Sequence, residues 1–104
     1  MLDIEAIKSA CTDDTMIITE HALERMKERN IIVDDISACI MQGEIIEQYP
    51  TDKPYLSCLI FRNGTKSPLH VVLSLNNGII WIITAYVPTL DKWEDDYKTR
   101  KAVK

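Results

Sequence analysis

Asn76-Asn77-Gly78-Ile79-Ile80-Trp81-Ile82-Ile83-Thr84-Ala85-Tyr86 is the stretch that decides the fold. Its first three residues are turn formers, and those that follow are largely β-branched or aromatic. A run apolar on both faces predicts a central strand, covered on at least one side by helices. Leu69–Leu75 precedes the turn as a second strand, and so short a connection makes the two antiparallel neighbours. Asn63-Gly64 is another hairpin signal, joining Leu56–Arg62 to Leu69–Leu75. Glu44–Tyr49 reads as one further strand, followed by Pro50 and a loop closed by Pro54. The reading is a four-stranded antiparallel sheet whose last three strands form a meander. A three-residue Asn76-Asn77-Gly78 loop with Gly78 left-handed sets His70 across from Thr84, with Tyr86 a near neighbour. A two-residue turn would set Ala85 opposite His70 instead.

The first half has helical periodicity. Residues 3–11 read as a short helix carrying Ile4, Ile7 and Cys11. A second helix runs from the N-cap Thr19 to Arg29, with Asn30 as its stop. A third begins near Asp34, turns Ile36, Cys39 and Ile40 inward, and ends at Gly43 in a left-handed cap. After Val87-Pro88, residues 90–102 read as a closing helix with Trp93 and Tyr97 on one face. The expected fold class is α+β: two to three N-terminal helices, a four-stranded antiparallel meander and a C-terminal helix, in one domain spanning 1–104.

At 104 residues, 46% hydrophobic and 27% charged, the chain has the composition of an ordinary folded domain. No segment approaches the roughly 20 consecutive apolar residues of a membrane span. The N-terminus, Met1-Leu2-Asp3-Ile4-Glu5, is acidic and lacks the layout of a secretory signal. A cytoplasmic location without membrane contact is expected. Cys11, Cys39 and Cys58 are widely spaced and include no CxxC pair, so neither a disulfide framework nor a zinc knuckle is indicated. Cys39 and Cys58, among apolar neighbours, read as small buried hydrophobes. GxSxG and Gly-rich phosphate loops are absent, and no histidine has a ligand partner at short spacing. No metal or other cofactor is expected.

The net charge of −4 argues against bulk electrostatic attraction to nucleic acid. Its distribution is uneven. Lys98, Arg100, Lys101 and Lys104 follow Tyr97 with no acid among them, and Arg25, Lys27 and Arg29 form a second cluster diluted by Glu24 and Glu28. A basic patch on an acidic chain can still hold a phosphate locally.

Only His21 and His70 offer imidazole chemistry near neutral pH. At helical spacing His21, Arg25 and Arg29 fall within about 80° of arc, on a stripe bordering the apolar side made by Ala22, Leu23 and Met26. Two arginines one turn apart suit phosphate or carboxylate. The bland reading is a solvated stripe paired to Glu20, Glu24 or Glu28. His70 lies on the strand face opposite Leu69, Val71, Leu73 and Leu75, where a lone histidine is often structural.

The ordered set His21-Ala22-Leu23-Glu24-Arg25-Met26-Lys27-Glu28-Arg29, Asp35-Ile36 to Gly43, Tyr49-Pro50, Leu69-His70-Val71-Val72 and Thr84-Ala85-Tyr86-Val87-Pro88 resembles a small bacterial family, domain of unknown function 4258. Trp93-Glu94-Asp95-Asp96 followed by Arg100-Lys101 extends the likeness, which covers residues 19–101. Asn30 and Ala85 depart from it, where the family usually has glycine and valine. The family is similar in layout to the barnase, EndoU, colicin and RelE-like nuclease group. That resemblance implies a RelE/barnase-like fold and a metal-independent ribonuclease of the toxin–antitoxin type. It also implies RNA as partner, on the ribosome or off it, and a cognate antitoxin, with a zinc-finger type among the neighbours reported.

Metal-free RNA cleavage needs a base for the 2′-hydroxyl, a cation for the phosphorane and an acid for the leaving oxygen. The expected catalytic residues are His21 and His70 as acid–base pair, Arg25 as phosphate clamp and Tyr86 as an orienting or base-stacking group. Arg29, Thr84, Arg100 and Lys101 are expected to bind substrate. His21, Arg25, His70 and Tyr86 must then converge. With His21 and His70 more than about 12 Å apart, direct hydrogen bonds to one phosphate would fail. A non-catalytic binding or regulatory module is the alternative, favoured by the net negative charge, and a homodimer through the Trp81 strand or Trp93 helix is a third reading.

Overall fold

The computed structural model describes residues 1–53, 55–64 and 66–102, with Asp13 described by its backbone alone. The loop closure expected at Pro54 and the terminal Lys104 lie outside the described residues. Chain order is α1 (Ile4–Ser9), a 3-10 turn at Asp13–Thr15, β1 (Met16–Ile18), α2 (Glu20–Glu28), α3 (Val33–Gln42), β2 (Glu44–Tyr49), β3 (Ser57–Asn63), β4 (Pro68–Asn76) and β5 (Ile79–Tyr86). The strands form one sheet in the order β1-β5-β4-β3-β2. Four of them run as antiparallel neighbours, and β1 lies parallel to β5.

The sheet and the closing segment both differ from expectation. The four-stranded antiparallel meander is a five-stranded mixed sheet, because Met16-Ile17-Ile18 pairs with Ile80, Trp81 and Ile82. Three residues are too few for alternation to announce a strand. Pairing with β1 satisfies the backbone edge that β5 would otherwise expose. Residues 90–102 turn back on themselves instead of forming the expected helix. Trp93 and Arg100 face each other in an antiparallel bridge, and Glu94 N–H donates to the Thr99 carbonyl at 2.8 Å. Asp96 is the cause. Its Oδ1 accepts from the Lys98 and Thr99 amides at 2.9 and 3.0 Å, and its Oδ2 from the Thr99 hydroxyl at 2.9 Å. A carboxylate that takes backbone donors two and three residues ahead offers the chain a turn in place of a helix ladder.

The β4–β5 connection also differs from the favoured reading. Asn77 and Gly78 both have positive φ, 52° and 75°, as the two central residues of a tight hairpin turn require. Asn76 therefore pairs with Ile79. A bulge follows, with Val72 opposite Thr84 but Leu73 opposite Ile82, so Ile83 is the extra residue on β5. The added residue carries His70 past both Thr84 and Ala85 and sets it opposite Tyr86.

Thr19 ties α2 to the sheet. Its amide and hydroxyl both donate to the Ile82 carbonyl, at 3.4 and 3.1 Å, and its Oγ1 accepts the Ala22 amide at 3.1 Å as N-cap. At the other end Asn30 takes a left-handed φ of 57° and stops α2, as read from the sequence. Ala22 and Met26 pack with Ile36, Cys39 and Ile40 of α3 onto Ile60, Val71, Leu73, Ile80, Ile82 and Ala85. Cys39 and Cys58 are fully buried in this core, and burial pushes both thiols up to about 12. No helix among the described residues is long and apolar enough to cross a membrane.

Gly43 ends α3 with φ −96° and ψ −173°, an extended conformation and not the left-handed cap expected. Space is what demands glycine there. A Cβ would stand 2.3 Å from the Cys39 carbonyl and 2.6 Å from that of Phe61. Gly43→Ala should therefore cost about 1–3 kcal/mol of unfolding free energy by overpacking, read as a lower urea midpoint.

Candidate functional site

Strand alternation turns His70 away from the helices, on the face opposite Leu69 and Val71. Its neighbours across the ladder are Phe61 on β3 and Tyr86 on β5. The segment after β5 folds over this helix-free face and brings Trp93 edge-on to the imidazole, with ring centroids 4.5 Å apart. His70 is left with no exposed surface. Its Nε2 lies 2.7 Å from the Tyr97 carbonyl, and its Nδ1 lies 3.2 Å from the Tyr86 hydroxyl. A carbonyl only accepts, so Nε2 carries the proton, and in the neutral ring Nδ1 accepts from Tyr86. Burial pushes His70 below the ordinary imidazole value, against the opposing pull of the Tyr97 carbonyl and Glu47. Burial likewise raises the Tyr86 phenol.

A second group adjoins the first. Arg100 grips Glu47 with two hydrogen bonds, Nε to Oε2 at 2.8 Å and Nη2 to Oε1 at 3.0 Å. Its guanidinium lies 4.6 Å over the Trp93 ring, on the side chain that packs against His70. Tyr49 Oη donates to Glu47 Oε1 at 2.5 Å and lies 3.5 Å from Arg100 Nη2. Burial pushes Glu47 upward, but the bonds from Arg100 and Tyr49 outweigh it and hold the carboxyl below its usual value. Burial and the bond to Glu47 together push the Tyr49 phenol up to about 12. The result is a base-like ring, two proton-holding phenols and a guanidinium on one sheet face.

Of the residues expected from the sequence, His70, Tyr86 and Arg100 are brought together here. Thr84 sits opposite Val72 on the same face. Lys101 is exposed and joins the closing turn by its backbone, donating to the Lys92 carbonyl at 3.0 Å. The convergence of His21 and Arg25 with His70 does not occur. Ala22 and Met26 carry α2 onto the core face of β5, so the sheet stands between the two histidines. His21 is exposed, and Arg25 pairs with Glu28 at 3.2 Å. Arg29 reaches furthest, donating Nη1 to the Ala85 carbonyl at 2.8 Å, beside Tyr86.

Glu47 and Trp93 are partners that the sequence reading did not place in the site. Simple alternation from Glu44 would turn Glu47 toward the helices along with Ile45. The ladder slips between Ile45 and Glu47, which sets Glu47 opposite Leu59 on the helix-free face. Tyr49, paired with Ser57, had a signal in the quoted Tyr49-Pro50 step. Among the described residues no three His, Cys, Asp or Glu side chains cluster so as to hold a metal ion.

The pH dependence of stability follows from His70. The folded ring gives up its proton more readily than the unfolded one, so protonation favours unfolding. The stability it contributes is present above the ordinary imidazole value of 6.5 and is lost as the pH falls below it. Urea unfolding at about pH 7.5 and about pH 5.5 should show that loss, and His70→Gln should shrink it. An equal loss in the variant would assign the titration to another group.

No curated protein matches the chain. A family model matches residues 18–87, from the last residue of β1 past the end of β5, and stops short of Trp93 and Arg100. That match spans more than half of the 104 residues, and the chain belongs to the family described as Domain of unknown function (DUF4258).

Proposed function

We propose that the chain is a metal-independent ribonuclease of the toxin type that works on the helix-free sheet face and not through a His21–His70 pair. The observation that carries the reading is the Tyr86–His70–Tyr97 hydrogen-bond relay, set beside the Arg100–Glu47 pair. RNA carries its own nucleophile next to each phosphodiester, so its cleavage asks only for a base, a cation and an acid. Tyr86 Oη takes the 2′-hydroxyl proton while passing its own to His70 Nδ1. The imidazolium formed is held by the Tyr97 carbonyl and the charge of Glu47. The 2′-oxygen bonds to phosphorus as the bond to the 5′-oxygen breaks.

Arg100, with its side chain 56% exposed, is free to turn from Glu47 toward the phosphorane. Tyr49, held as the neutral phenol, lies next to Arg100 and protonates the departing 5′-oxygen. The products are a 2′,3′-cyclic phosphate and a 5′-hydroxyl end. In this reading the partners are RNA and an antitoxin that covers the same face. A non-catalytic binding module is the second reading, favoured by the complete burial of His70 with both ring nitrogens engaged.

Purified protein and a mixed RNA in EDTA separate the two. Cleavage to 5′-hydroxyl fragments is expected, with Tyr86→Phe and Arg100→Gln each slower by about 10²–10³-fold and His21→Ala unaffected. RNA left intact at high protein concentration would decide for the binding module.

A further inference from the structure

A cavity of about 130 Å³ opens between the α2–α3 turn and the β3–β4 hairpin, away from the His70 cluster. Arg29, Arg62 and Lys66 line it, with Asp35 as the one carboxylate, above a floor that includes Ile31 and Leu69. Local structure explains the gathering. Arg29 ends α2 where the left-handed Asn30 turns the chain, and Arg62 pairs with Leu69 near the hairpin that carries Lys66. Among the described residues none of the three cations is in an ion pair. Asp35 is already engaged, its Oδ2 accepting the Ile32 amide at 3.0 Å at the start of α3. The Ala85 carbonyl anchors Arg29 by Nη1 at 2.8 Å, which fixes the guanidinium before any ligand arrives. Ile31 and Leu69 are 7% and 8% exposed, so the floor is poorly hydrated and strengthens attraction to an anion.

We propose that this cavity binds a phosphate group, and that the phosphate is one from an RNA backbone. Three cations around one hollow suit a compact, multiply charged oxyanion, whereas an extended acidic peptide would call for a row of them. Planar guanidinium forks and a lysine point charge are the usual means of holding phosphate. Arg62 and Leu69 pair on the helix-covered face, so the cavity lies across the sheet from His70 but at the same end, where Phe61 and Tyr86 flank that histidine. A strand passing round that end can place one phosphate here while a neighbouring nucleotide reaches the Tyr86 side. Phosphate binding stands by itself; that the phosphate is RNA's rests on the function proposed above.

The test reads binding and not cleavage, so its failure is distinct from absence of catalysis. Backbone amide shifts of Asn30, Gly64 and Ser67 are followed by NMR during titration with inorganic phosphate, a 2′-O-methyl RNA oligonucleotide, or polyglutamate. The wild type is compared with Lys66→Gln and with Arg62→Gln/Lys66→Gln, and Lys8→Gln is the charge-matched control for the single variant. Lys66 is exposed, so its substitution tests charge with the fold intact. Phosphate and oligonucleotide should both shift these amides. The double variant should bind each at least about 10-fold more weakly and lower the salt slope of the oligonucleotide by about 1.4, while Lys8→Gln changes neither. Phosphate binding lost with oligonucleotide binding unchanged would overturn the RNA assignment in favour of a free phosphate. Shifts from polyglutamate alone, or from no probe, would overturn the site.

Discussion

A histidine with no exposed surface must give each ring nitrogen a partner, because an unpaired polar atom in the interior costs about 1–3 kcal/mol. His70 meets that demand with two groups far apart in sequence, the Tyr86 hydroxyl and the Tyr97 carbonyl. The first bond depends on the one-residue bulge at Ile83, since without it Tyr86 would not stand opposite His70. The second depends on the closing segment, where Tyr97 adopts a positive φ of 59° as its carbonyl is presented to the ring. Register, bulge and closing turn are thus coupled through one imidazole, whose tautomer the Tyr97 carbonyl sets.

The closing segment holds to the sheet by charge as well as by ring packing. Lys98 pairs with Glu44 at 3.0 Å and Arg100 with Glu47 at 2.8 Å, both acids on β2. The first of these is an exposed pair and contributes little. Trp93, only 2% exposed and packed on His70, makes the larger contribution by burying a big apolar surface. A chain of net charge −4 keeps usable cations because several of its acids are occupied. Asp35 caps α3, Asp96 makes the closing turn and Glu47 is gripped by Arg100. Arg29, Arg62 and Lys66 are left to line a common hollow.

Elements whose signal is local were legible in the residues. α2, α3, the two hairpins and the interior place of β5 follow from periodicity, caps and turn formers, all of which act within a few residues. The candidate site was legible in part, through His70, Tyr86 and Arg100. Glu47 was hidden because a bulge reverses its face, and His21 was drawn in because a helix stripe does not say which side of a sheet it will meet.

The sequence by itself determined the α+β order, the burial of Cys39 and Cys58, and the stop at Asn30; each depends on side-chain chemistry over a turn or two. Only the tertiary structure decided that Met16–Ile18 is a strand, that 90–102 is a turn, and that His21 and His70 lie on opposite sides of the sheet. A three-residue strand is stable only against its partner. An aspartate can cap a turn or face solvent from a helix, and packing of Trp93 on His70 selects between them. Which side chains share a face depends on ladder slips that one chain segment cannot reveal without the strand beside it.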